Sequence, residues 1–119
     1  MNTRTTEIQS IVSSYIDAAK SYGEALKKGD HKSANDAHSV IRSAFLKLSD
    51  LGSGEAVLSL LGDENLAVRY SAAVDALSFS SREAESVLEG VVSGPASPIR
   101  LMAQISLSEW RKHKQVKSQ

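Results

Sequence analysis

The side chains that could do chemistry here are three histidines, fourteen carboxylates and many serines; there is no cysteine. His31, His38 and His113 lack the i, i+4 spacing that sets two imidazoles on one helix face, so they do not predict a metal site. No GxSxG elbow accompanies the serines, which read as solvated helix surface. Gly52 and Gly54 precede a short helical stretch without a following Lys-Ser or Lys-Thr pair, so they do not form a phosphate-cradling loop. Nothing singles out two carboxylates with opposed protonation tendencies. The sequence therefore points away from an enzyme, and no cofactor is expected.

The charges are segregated. Residues 1–49 sum to +2, residues 50–90 to −6 and residues 91–119 to +4, within a net charge of zero. A nucleic-acid binder would show a dominant basic face with stacking aromatics. Here Arg111, Lys112, Lys114 and Lys117 lie past the last core position and read as a solvated tail. The acidic middle is the candidate partner surface: Asp63, Glu64, Asp75, Glu83 and Glu85, with Tyr70 as an aromatic anchor, would match a basic protein and speed its approach.

These residues must be held by helices. From Thr6 to Lys28, Ile8, Ile11, Val12, Tyr15, Ala18, Ala19, Tyr22, Ala25 and Leu26 recur at spacings of three and four, predicting a long amphipathic helix closed by Gly29. Asp30 caps the next helix, which carries Ala34 to Leu51 and stops at Gly52; Asp30 and Asn35 are expected to order the turn between the two. Shorter helices follow: Glu55 to Leu61, one capped by Asn65 and reaching Leu77, one opened by a Ser80–Glu83 capping box, and one from Pro98 to about Lys112 capped by Ser97.

LLGDENLAVRYSAAV (60–74) aligns with VVSGPASPIRLMAQI (91–105) at an offset of 31 residues, pairing Val68 with Ile99, Arg69 with Arg100 and Ala72 with Ala103. Such a period belongs to a two-helix solenoid repeat. The fold class is all-α: a short HEAT/ARM-like solenoid of about six helices in one domain, 1–119. An N-terminal hairpin (5–52) precedes repeats at 53–79 and 80–113 and a flexible tail at 114–119. Arg69 and Arg100 are expected to bond to their turns, Arg69 to Asp63, and Trp110 to close the core as a lid. No segment approaches a membrane span and the N-terminus lacks a signal-peptide core, so a cytoplasmic protein is expected.

GDENLAVRYSAAVDALSFS (62–80) resembles a HEAT repeat. The whole chain is similar to a bacterial family of HEAT-like domains of unknown function, through Gly23-Glu24-Ala25, Gly29-Asp30, Ala34-Asn35, Leu60-Leu61, Val68-Arg69, Ala72-Ala73, Val87-Leu88-Glu89, Leu107 and Glu109-Trp110-Arg111-Lys112. It departs from that family at Ser71, where relatives often carry an aromatic. Some members resemble immunity proteins of toxin systems. The resemblance thus implies a protein-binding module that neutralises a bacterial toxin by occluding it; the acidic middle would suit a basic, nuclease-like toxin as partner, and neither direct nucleic-acid binding nor a membrane is expected. A general scaffold module is the alternative, a small enzyme or ligand-binding domain the remote one, and a monomer the favoured state.

Overall fold

The computed structural model describes residues 3–118. Its elements are α1 (Thr3–Lys28), α2 (His31–Asp50), a 3-10 helix (Gly54–Leu60), α3 (Leu66–Ala76), α4 (Ser81–Val92) and α5 (Pro98–Ser118), with no strand among the described residues. The chain is all-helical and compatible with a short helical solenoid.

Local signals set most boundaries. Gly29 and Gly52 adopt φ of +70° and +72°, the left-handed conformation that a side chain disfavours. Around each, the chain closes the same terminal motif: Asp30 N–H donates to the Ala25 carbonyl (2.9 Å) and Ser53 N–H to the Leu48 carbonyl (2.8 Å). Asp30 then accepts from the Ser33 amide (3.0 Å) and the Ser33 hydroxyl (2.7 Å), and these bonds hold its carboxyl below the usual range. Ser33, not Asn35, joins Asp30 in ordering this turn; the Asn35 side chain is exposed and makes no hydrogen bond among the described residues. Asn65 accepts from the Val68 amide (3.1 Å) and Ser97 from the Arg100 amide (3.0 Å), as expected of caps.

Two local expectations fail. Ser80 precedes α4 but its side chain makes no capping bond, so the capping box does not form. The short helix expected over Glu55–Leu61 is present as a 3-10 helix, Gly54–Leu60. The last helix continues to Ser118 instead of giving way to a tail at 114; Gln119 lies outside the described residues.

The 31-residue offset reappears in hydrogen bonds. Asp63 N–H donates to the Leu60 carbonyl and Gly94 N–H to the Val91 carbonyl, each at 3.1 Å. Arg69 Nη1 donates to the Asp63 carbonyl (2.8 Å) and Arg100 Nη1 to the Gly94 carbonyl (3.3 Å). Each arginine thus ties the start of its helix to the turn six residues back. The Asp63 acceptor is its carbonyl; its carboxylate accepts from the Asn65 amide (2.9 Å).

Packing departs from a regular stack. Helices α1, α3 and α5 contact one another, while α2 lies on α1, the 3-10 helix on α2 and α3, and α4 on α3 and α5. Because α3 and α5 are the second helices of their repeats, the N-terminal hairpin docks through its first helix, in reverse order. The result is a slab 23 Å thick, about two helix diameters. Small residues let the helices close up: a Cβ on Gly23 of α1 would lie 2.7 Å from the Ala67 Cβ of α3. Buried Ala19, Ala72, Ala73, Ala76 and Ala103 continue this pattern, filled by Tyr15, Leu48, Val57, Val68 and Leu88.

Candidate functional site: a protein-docking surface

The six residues expected to form an acidic docking face do not share one. Asp75 and Tyr70 are interior residues, because α3 is covered by α1, α4, α5 and the 3-10 helix. Tyr70 OH lies 3.1 Å from Ser106 Oγ on α5 and its ring stacks on Tyr22 at 6.5 Å, so it is no surface anchor; burial raises the pKa of both phenols. Glu85 is half-buried on α4, held by Lys114 (3.2 Å) and Arg111 (3.7 Å), and Arg111 also pairs with Glu89. Arg111 and Lys114 of the basic stretch are therefore counter-charges of Glu85 and Glu89 across the α4–α5 pair. Asp63 is half-buried in its turn, while Glu64 and Glu83 are exposed. Glu64 precedes α3 and Glu83 opens α4; these helices form a hairpin, so the two acids lie toward opposite ends.

Asp75 instead centres a buried polar network. Tyr15 OH on α1 donates to Asp75 Oδ2 at 2.6 Å, and Arg42 on α2 pairs with Oδ1. Burial pushes the Asp75 carboxyl up, against the hydrogen bond from Tyr15 and the charge of Arg42. The Tyr15 phenol is pushed far up by burial and then by the adjacent carboxylate. This network joins both helices of the N-terminal hairpin to the first repeat.

Its outer end reaches the surface. The Arg42 guanidinium is partly exposed and lies over the Phe45 ring, 5.4 Å from its centre. Phe45 in turn stacks on Phe79 of the α3–α4 turn, at 6.5 Å and 9° between planes. Phe79 is 44% exposed, and Leu46, four residues after Arg42 on α2, is 58% exposed. Arg42 is thus fixed twice, by a carboxylate inside and an aromatic face outside, so the patch is pre-ordered. Aromatic and arginine side chains dominate the energetics of protein interfaces, and a fixed rotamer lowers the entropy lost on docking.

Sequence reasoning misses this surface because Phe45 falls on the core stripe of α2 and Phe79 at the end of a repeat. A signal for Asp75 does exist: it falls on the helical stripe of Val68, Ala72 and Ala76, where a carboxylate needs a partner. Trp110 packs against the core at half-burial, as a lid would, with no acceptor for its indole N–H among the described residues. His38 lies beside Tyr22 and His113 beside Trp110, and no group of three His, Asp or Glu converges as metal ligands among the described residues. No described helix is long and apolar enough to cross a membrane. No family model, curated protein or solved structure matches this chain.

Proposed function

We propose that this chain is a protein-binding module, and that its partner docks on the surface formed by Arg42, Phe45, Leu46 and Phe79. The observation that carries this reading is the stacked Phe45–Phe79 pair, half-open to solvent and braced by an arginine that the buried Asp75 holds. An apolar patch of this kind costs solvation free energy in the free protein and repays it when a partner covers it.

The narrower reading, an immunity protein that neutralises a bacterial toxin by covering its working surface, is supported by the family resemblance. It does not draw on an acidic face, since two of the six candidate residues are buried and a third is ion-paired. The test is to capture the partner from the native host, purify it, and titrate it against wild type, Phe79→Glu, Leu46→Glu and Glu64→Lys. The two apolar-to-acid variants are expected to lose at least tenfold in affinity while remaining folded, and Glu64→Lys to bind as wild type. Equal binding by all four sinks the proposed surface. If the partner is a toxin, co-expression rescues growth with wild type and not with Phe79→Glu.

A further inference from the structure

The outer face of α5 breaks the pattern of the other helices. Leu101 is 56% and Ile105 48% exposed, one turn apart on the same side. At the 31-residue offset their equivalents on α3 are Tyr70, which is buried, and Val74, which is half-buried. Gln104 and Ser108, both exposed, correspond to Ala73 and Leu77, both buried. The side of α5 that faces solvent is therefore the side that α3 buries against its helical neighbours, among them α5 through Ser106. Within this molecule, the natural cover for such a face is another helix.

Charge indicates which helix. From Pro98 to Ser108 the only charged residue is Arg100, and its guanidinium is committed to the Gly94 carbonyl. Helices α1, α2 and α4 all carry exposed charges, and the uncharged run of α1, residues 8–16, exposes only Gln9 and serines. A neutral face with two apolar residues meets no electrostatic penalty when it pairs with itself, provided the basic ends of the two helices stay apart. An antiparallel arrangement achieves this. With the two-fold axis passing between residues 101 and 105, Leu101 of each copy meets Ile105 of the other. The two Lys112 then lie on opposite sides of the axis, about 27 Å apart at the rise of an α-helix, well beyond the screening length of about 8 Å. A parallel pairing would bring them together.

We infer that the outer face of α5 is a self-association surface, on which a second copy of this chain docks antiparallel through Leu101 and Ile105. The apolar area is small beside a standard interface, so the dimer is weak and reversible. This contact is independent of the Phe45–Phe79 surface and leaves that surface open.

The test is sedimentation velocity of the full chain from micromolar to millimolar concentration, with circular dichroism to confirm folding. Wild type is expected to sediment faster as concentration rises. Leu101→Lys and Ile105→Glu, each at an exposed position that leaves the core intact, should stay monomeric throughout. Mixing the two variants should restore association, because one contact then sets the introduced lysine against the introduced glutamate and the other remains leucine against isoleucine. A wild type that is monomeric at every concentration overturns the inference. So does a single variant that associates like wild type, or a mixture that remains monomeric.

Discussion

Replacing Tyr15 by Phe removes one oxygen from the centre of the fold and little else. The Tyr15 side chain is fully buried and its hydroxyl donates at 2.6 Å to a carboxylate that is itself almost inaccessible. A hydrogen bond to a charged group contributes about 1.5–3 kcal/mol, and after its loss Asp75 keeps only Arg42. A loss of about 2 kcal/mol at neutral pH is therefore expected. Unfolding entropy of about 2.1 cal/mol/K per residue gives roughly 0.25 kcal/mol/K for 119 residues, so Tm should fall by about 8 °C. The bond also carries a pH dependence. The Tyr15 bond favours the ionised form of Asp75, so once Asp75 is protonated it becomes a bond between neutral groups, of about 1 kcal/mol. Urea unfolding of wild type and Tyr15→Phe across a pH series should thus show the difference shrinking toward acid. A difference within about 0.5 kcal/mol at neutral pH, typical of a surface change, would refute the network, as would a full-sized loss that does not vary with pH.

Two further outcomes follow from the core. Burial holds the Asp75 carboxyl above its ordinary value of 3.8, so the folded protein binds a proton that the unfolded chain has released. This contribution to stability is complete below 3.8 and is lost as pH rises through the folded value; Asp75→Asn should not show that loss, and the stability of wild type minus that of Asp75→Asn should decline as pH rises above 3.8. A difference that grows with pH contradicts the direction of the shift. Gly23→Ala drives a methyl to 2.7 Å from the Ala67 Cβ, costing about 1–3 kcal/mol of overpacking against a gain of about 1 kcal/mol in helix propensity. Adding Ala67→Gly should recover stability in urea titrations, and failure to do so would mean that α1 and α3 do not meet at this point.

The sequence is most legible where structure is decided locally. Gly29 with Asp30, Gly52, Asn65 and Ser97 with Pro98 each act through neighbours within a few residues, and each terminates or caps a helix as expected. The offset of 31 is readable because Arg69 and Arg100 repeat a bond to their own turns. What cannot be read depends on partners distant in the chain. Tyr70 looks like a surface residue because α3 is buried over most of its circumference and so has no clear polar face, and the stripe that places Asp75 inside does not name Tyr15 and Arg42 as its partners. The acidic run of α4 looks available until Arg111 and Lys114, more than twenty residues on, are placed against Glu85 and Glu89. Ser80 and Glu83 have the spacing of a capping box, but Ser80 adopts φ −144° and ψ 56° and its side chain makes no cap bond. The Phe45–Phe79 stack joins residues 34 positions apart and leaves no local mark.

The reversed docking of the first hairpin also bears on how the chain is made. In a plain solenoid each repeat rests on the one before it, so a growing chain can bury its apolar surfaces as they emerge. Helix α1 rests on α3 and α5 as well as on α2, and α5 begins about 70 residues after α1 ends. Part of the apolar face of α1 therefore waits uncovered until α5 has been made. Only when α5 leaves the ribosome does α1 find that neighbour.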